Sequence, residues 1–163
     1  MRTLIWVVAA VISLTACSKA ASAPPEPSEL TVSHGCGYGF ALGDEEQRVG
    51  LVLTFLDFEA ATAGEVGSEF VLPDAVWDAD LVFGYDLFSN WCDDVIEPDE
   101  PEVVIEKAFS VWGRLVIDQL PEAGTCGLAS GTLLDASYMD DVDRRVELGD
   151  ISLSNELWGC FAG

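Results

Sequence analysis

Basic residues and histidine are scarce in this sequence. It holds 7 lysines and arginines against 29 aspartates and glutamates, with one histidine, and its formal net charge is −22. A surface of this sign repels phosphate backbones and anionic lipid headgroups. The composition therefore excludes nucleic acid as a partner, and repulsion between the carboxylates is expected to destabilise the folded state most at low ionic strength.

Long apolar runs are also missing. The most apolar stretch covers residues 3–16 and carries no charge, whereas a membrane-spanning helix needs about 20 apolar residues. Because the stretch is too short to span a bilayer and follows Arg2, it is expected to be the apolar part of a signal peptide.

Signatures of catalysis are absent as well. The sequence has no Gly-x-Ser-x-Gly elbow and no glycine-rich phosphate loop. Its one histidine, His34, adjoins a glycine-rich turn, where a surface or packing role is expected, and His34 with Cys36 falls short of the three or four ligands that zinc needs. Asp57 and Glu59 would share one face of a strand, as a two-carboxylate hydrolase requires, but so acidic a chain produces such pairs by chance. We expect no catalytic residues and a protein that is not an enzyme.

The apolar stretch leads into residues 14–17, Leu-Thr-Ala-Cys. This tetrapeptide resembles the lipobox of bacterial lipoproteins, in which an aliphatic residue and two small residues precede the cysteine. The resemblance implies that residues 1–16 are a lipoprotein signal peptide, that a diacylglyceryl group is attached to Cys17, and that the new N-terminus is acylated, with palmitate as a typical chain. Two or more acyl chains anchor a protein stably. The alternative is an ordinary secretory signal with an unmodified cysteine.

The resemblance also implies a location in the cell envelope. Ser18, rather than Asp, follows the cysteine, which in a host with two membranes directs such a protein to the outer one. Residues 17–28 are rich in Ala, Ser and Pro and are expected to form a lipidated, flexible tether that reaches about 30 Å. Residues 29–163 are expected to form a single domain that is long enough for a hydrophobic core.

Four cysteines lie beyond the lipobox: Cys36, Cys92, Cys126 and Cys160. An even number in an exported chain predicts two disulfides, and three pairings are open. Predicted strands over residues 131–138 and 146–158 flank an acidic turn at 139–143, which is centred midway between Cys126 and Cys160. A hairpin folded there favours a bridge between these two and leaves the first two cysteines to pair with each other.

The apolar pattern of the domain is that of β-strands. Residues 48–58 are apolar on both faces, which predicts a central strand covered on both sides. Residues 80–91 alternate, which predicts a strand with Leu81 and Leu87 on one face. Residues 103–117 predict one long bent strand or two short ones, with a helix over 103–110 as the alternative. About seven short strands predict an all-β, antiparallel, sandwich-like domain. In strand count and in its terminal residues 158–163, the domain resembles the small immunoglobulin-like domains of bacterial lipoproteins.

Clusters of carboxylates are candidates for calcium, which binds several oxygen ligands. The cluster that follows Cys92 is the preferred candidate, because a disulfide would hold its start rigid. Its members are Asp93, Asp94, Glu97, Asp99 and Glu100, and the first four are the most favoured ligands. Two other clusters also lack the helix-loop-helix calcium pattern: Asp74, Asp78 and Asp80, and Asp140, Asp141 and Asp143. The alternative is an acidic surface adapted to salt, without a cofactor.

The tryptophans suit two different roles. One role is to fill the space between the sheets. The other is to form, beside carboxylates, a surface that binds sugars or peptides. The tryptophans with these two possible roles are Trp77, Trp91, Trp112 and Trp158. Trp112 and Arg114 are expected on the face opposite Val111. No ligand-binding residue is identified from the sequence.

Taken together, these patterns predict a membrane-anchored, extracytoplasmic lipoprotein with a non-catalytic binding or envelope-structural β-domain. Its expected partners are the membrane, through lipid on Cys17, and an envelope protein or a glycan. A calcium-dependent adhesion or carbohydrate-binding module is the first alternative. A carboxylate-based hydrolase is the second, and a raised carboxyl pKa in a cleft would favour it.

Overall fold

The computed structural model describes residues 29–56, 66–89, 91–92, 100–122 and 124–160. Within these ranges the chain forms nine β-strands, which confirms the all-β prediction; two of them are only two residues long. No helix in this part of the chain has the length and apolar character of a membrane span. The strands are β1 Val32–Ser33, β2 Cys36–Gly37, β3 Phe40–Gly43, β4 Val49–Phe55, β5 Glu69–Leu72, β6 Trp77–Tyr85, β7 Val104–Gln119, β8 Gly127–Met139 and β9 Arg145–Trp158.

The strands form one mixed sheet that curls on itself. Their order is β1-β3-β4-β6-β7-β8-β9-β2, and β5 pairs with β7 outside this path. Strand β2 runs parallel to β9, and the other pairs are antiparallel. The two layers of the expected sandwich are therefore the two ends of one continuous sheet.

Strand β7 joins the two layers. Its first part pairs with β6, and from Val111 onward it pairs with β8 and, over four residues, with β5. The helix alternative over residues 103–110 is wrong. Residues from Val104 to Ser110 instead pair with β6. Beyond them the strand alternates, because Val111, Leu115 and Ile117 are buried on one side while Trp112 is 41% exposed on the other.

The main core lies inside the curl and is centred on aromatic side chains. Trp77 is 1% exposed and Trp158 is 4% exposed. Their ring centroids lie 6.2 Å apart, and Phe40 packs 5.2 Å from Trp158. Burial of each such ring stabilises the fold by about 3 kcal/mol. For these two tryptophans, the predicted role in the core is confirmed.

The N-terminal segment closes the curl. It pairs first with β3 through Val32 and Ser33 and then with β9 through β2. The buried side chain of Asn155 fixes the crossing, since its Nδ2 donates to the carbonyl oxygen of Gly39 at 2.7 Å. A Cβ on Gly35 would lie 2.7 Å from Asn155 Cγ, so only glycine lets the segment pass this close.

Both disulfides are confirmed. Cys126 and Cys160 bridge the base of the β8–β9 hairpin, with Cα atoms 4.9 Å apart. Cys36 and Cys92 form the other bridge, with Cα atoms 5.6 Å apart. Each bridge is expected to stabilise the domain by about 2–4 kcal/mol, mainly by restricting the unfolded chain.

Strand β6 departs from its predicted bounds of residues 80–91. It starts at Trp77 and ends at Tyr85, because a bulge shifts its register after Phe83 and the backbone then turns at Asp86, where φ is 53°. Leu87 consequently packs on the face opposite Leu81, and the prediction that both share one face is wrong.

Candidate functional site

A second apolar cluster lies on the outer face of β3, β4 and β6, on the other side of the sheet from the main core. Register places Ala41 beside Val52, and Val82 lies on the neighbouring strand. Leu87 and Phe88, which follow β6, fold back over this face and complete the cluster. Val52 shows that β4 is covered on both sides at its centre, as the sequence predicts.

Two glycines leave room for the Phe88 ring to pack against the sheet. Gly43 and Gly50 are register partners on adjacent strands. A Cβ on Gly43 would come within 2.6 Å of Phe88 Cε2, and a Cβ on Gly50 would overlap the same ring. Phe88 is 6% exposed, so the missing side chains allow an aromatic ring to lie directly on the backbone.

The histidine stacks on this ring. The His34 and Phe88 centroids are 4.2 Å apart with an interplanar angle of 7°. Burial lowers the pKa of His34, and the nearby Asp44 carboxylate partly opposes that effect. His34 is therefore a packing residue, and its neighbour Cys36 is committed to a disulfide rather than to zinc.

The disulfide between Cys36 and Cys92 ties the segment after β6 to the N-terminal crossing. It sets Trp91 beside Phe88, edge to face, with centroids 5.8 Å apart. Trp91 remains 37% exposed, and its indole lines three clefts on this side of the molecule.

The most enclosed of these clefts, here called the outer cleft, has a volume of about 280 Å³. Its walls are almost entirely apolar, and the one ionisable group among its described lining residues is the carboxyl of Asp80. The lining residues are Val52, Asp80, Val82, Leu87, Phe88, Trp91, Val103 and Ile105.

The surroundings of Asp80 disfavour the ionised form of its carboxyl group. Burial is the main cause of its raised pKa, the Asp78 carboxylate adds to it, and a hydrogen bond with Ser110 opposes it. The register explains these neighbours, because Asp80 lies between Val52 on β4 and Ser110 on β7, and Asp78 is two positions away on the same face of β6.

The two other clefts are more open. One, of about 540 Å³, lies between Trp91, His34 and Glu156. The other, of about 350 Å³, is lined by Trp91 together with Tyr38 and Phe55. Both border the outer cleft through Trp91.

One aspartate in each of two predicted calcium clusters organises a turn. Asp74 Oδ1 accepts the backbone N–H groups of Val76 at 2.6 Å and Trp77 at 2.7 Å. Asp140 Oδ1 accepts those of Val142 at 3.0 Å and Arg144 at 2.9 Å. These bonds organise turns.

No group of three or more His, Cys, Asp or Glu side chains is placed to hold a metal ion among residues 29–56, 66–89, 91–92, 100–122 and 124–160. Several predicted residues lie outside these ranges, namely Cys17, Asp57, Glu59, Asp93, Asp94, Glu97 and Asp99. The preferred calcium cluster is therefore not tested by the structure.

Trp112 and Arg114 lie on the exposed side of β7, as predicted. Arg114 Nη1 is 3.3 Å from Glu69 Oε2 on β5, and Val71 nearby is 71% exposed.

Comparison with known proteins returned no relatives. No family model matches the chain, and no curated protein or solved structure matches it.

Proposed function

We propose that this chain is a membrane-anchored lipoprotein of the cell envelope whose β-domain is a non-catalytic binding or envelope-structural module. The observation that carries the anchoring is the lipobox at residues 14–17, at the end of an uncharged apolar stretch. The two disulfides support the same compartment, since disulfides persist in oxidising environments outside the cytoplasm.

The outer cleft supports the binding role. Small-molecule sites are concave and mostly apolar, with a few polar groups that fix the ligand's orientation. The cleft combines apolar walls, an exposed indole at Trp91 and one carboxyl at Asp80. Strands β4 and β6 and the Cys92 disulfide hold these groups, and such rigid support is what a preformed site requires.

Anchoring is tested by replacing the lipidated cysteine. Cys17→Ala should move the protein from the membrane fraction to the soluble extracytoplasmic fraction and abolish incorporation of labelled palmitate. The double variant Cys36→Ser/Cys92→Ser is the matched control, because it also removes cysteine but should stay in the membrane fraction. Retention of Cys17→Ala in the membrane would show that the anchoring proposal is wrong.

One observation favours a second candidate, the carboxylate-based hydrolase. Asp80 has a raised pKa and lines a cleft, and a general acid needs both properties. The two-carboxylate mechanism also needs a partner about 5–9.5 Å away, and the described lining of the cleft supplies Asp80 alone. Turnover of nitrophenyl glycosides that is lost in Asp80→Asn would favour this candidate over the binding module.

A further inference from the structure

We propose that the outer cleft binds a small organic cation, an alkylated ammonium group on a short apolar chain, between the Asp80 carboxylate and the Trp91 indole. This inference deepens the proposed function and rests on its binding role. It does not depend on the lipid anchor.

The first step of the argument is the charge balance within the cleft. Asp80 is the one ionisable side chain among the described lining residues, and none of those residues is basic. Asp78, on the same face of β6, adds a second negative charge nearby. A cation entering the cleft would offset both the partial burial of the carboxylate and this repulsion.

The second step is the nature of the walls. Trp91 offers an exposed indole, and Phe88 lies beside it with centroids 5.8 Å apart. A cation placed within about 6 Å of an aromatic face is attracted by the ring quadrupole, most strongly by tryptophan. Aromatic rings combined with a carboxylate are the groups that bind alkylated ammonium ions.

The third step compares the described lining with the ligands that a metal ion needs. Calcium takes about 6–8 oxygen ligands, whereas the described lining presents one carboxylate amid aliphatic side chains such as Val52, Val82 and Ile105. Apolar walls cannot replace the hydration shell of an inorganic ion. An ammonium that carries its own methyl groups gains from the same walls, because its surface is already apolar.

The volume of the cleft and the negative charge around it favour a free small molecule over a lipid headgroup. The volume of about 280 Å³ is slightly below about 300 Å³, where the usual range for ligand pockets starts, so the cleft suits only a small molecule. A zwitterionic headgroup would bring a phosphate towards Asp78 and Asp80, on a protein whose net charge is −22. The acidic surface should concentrate cations and repel that phosphate.

The test uses the full chain, purified in detergent, with choline as the probe. Isothermal titration should give an affinity for choline at least about ten-fold higher than for 3,3-dimethylbutan-1-ol, the neutral molecule of the same shape, a ratio that corresponds to about 1.4 kcal/mol. Phosphocholine should bind more weakly than choline. Equal affinity for choline and its neutral analogue, no binding of choline, or preferred binding of phosphocholine would each overturn the proposal.

Variants locate the binding site. Asp80→Asn and Trp91→Leu should each lower the choline affinity by about ten-fold or more, while Asp118→Asn and Trp112→Leu, which change the same residue types on other surfaces, should leave it unchanged. Asp80→Asn is expected to fold, because removing a charge that burial disfavours stabilises the free protein at neutral pH. Unchanged affinity in Asp80→Asn would overturn the proposal, and membrane fractionation would still report separately on the anchor.

Discussion

The imidazole of His34 lies flat on the Phe88 ring, with the two planes inclined by only 7°. Gly43 and Gly50 lie against the same ring. Phe88 thus packs on both the backbone and the histidine, and the Cys36–Cys92 bridge ties the end of the segment after β6 to the N-terminal crossing. Of this stack, Phe88 lines the outer cleft beside Trp91, which stays 37% exposed.

The stack predicts that Gly50→Ala destabilises the domain by about 1–3 kcal/mol, since the added methyl group overlaps the Phe88 ring. In a Phe88→Ala background the same change should cost at least about 1 kcal/mol less, because the two sites are in contact. Urea denaturation of the four proteins measures this coupling. If Gly50→Ala lowers the free energy of unfolding by the same amount in both backgrounds, the Phe88 ring does not pack against Gly50.

Protonation of His34 should destabilise the fold. Its pKa in the folded protein is lowered, chiefly by burial, so the folded state binds the proton less tightly than the unfolded state. Stability is therefore lost as pH falls below the unfolded value of about 6.5, by less than about 1 kcal/mol because the ring is only partly buried and solvent screens its charge.

The histidine contribution is isolated by comparison with His34→Phe, which keeps a ring on Phe88 but cannot titrate. The stability difference between the two proteins should change in favour of the variant between pH 7.5 and pH 5.5, as read from denaturation midpoints. A difference that stays constant across this range would contradict the assigned burial of His34.

Asp140 is predicted to hold the β8–β9 turn through its charge. Hydrogen bonds from the backbone of Arg144 are the main cause of its lowered pKa, and the Val142 N–H contributes further. Because the folded pKa lies below the usual 3.8, the contribution is present above that value and lost as pH falls through the folded pKa.

Asp140→Ala should lower the thermal midpoint at pH 7, whereas Asp143→Asn, which removes a charge from the same turn, should not lower it. The difference in thermal midpoint between Asp140→Ala and the unaltered protein should disappear in strong acid. A gap that persists in strong acid would assign the role of Asp140 to packing rather than to its charge.

The acidic surface predicts a thermal midpoint that rises with ionic strength, since added salt shortens the Debye length from about 30 Å at 0.01 M to about 8 Å at 0.15 M. Sodium chloride and calcium chloride at matched ionic strength should act equally. A thermal midpoint that rises more in calcium chloride would contradict this interpretation, because an ion that binds only the folded state stabilises it by mass action. It would point to the carboxylates after the second disulfide cysteine, Asp93, Asp94, Glu97 and Asp99.

Local patterns in the sequence predicted the β8–β9 hairpin and both disulfides. The alternation on either side of the acidic turn placed Cys126 opposite Cys160 without any long-range information. The same reasoning separated Val111 from Trp112 on β7. These features depend on neighbours along the chain, which periodicity reports directly.

The outer cleft could not be predicted in this way. It depends on Leu87 changing faces, which follows from the bulge after Phe83 and the left-handed backbone at Asp86; neither disturbs the apolar pattern. Asp80 was grouped with Asp74 and Asp78 as a calcium ligand because spacing in sequence does not show which carboxylate is desolvated. The glycines at positions 43 and 50 were an available signal, since glycine inside a strand marks close approach.

Mass spectrometry of the N-terminal peptide of the protein isolated from membranes tests the central claim most directly. The account predicts a peptide that begins at Cys17, with the mass of a diacylglyceryl thioether on its sulfur and an acyl chain on its amino group. A mature N-terminus at any other residue, or an unmodified Cys17, would contradict the assignment of this protein as a lipid-anchored protein of the cell envelope.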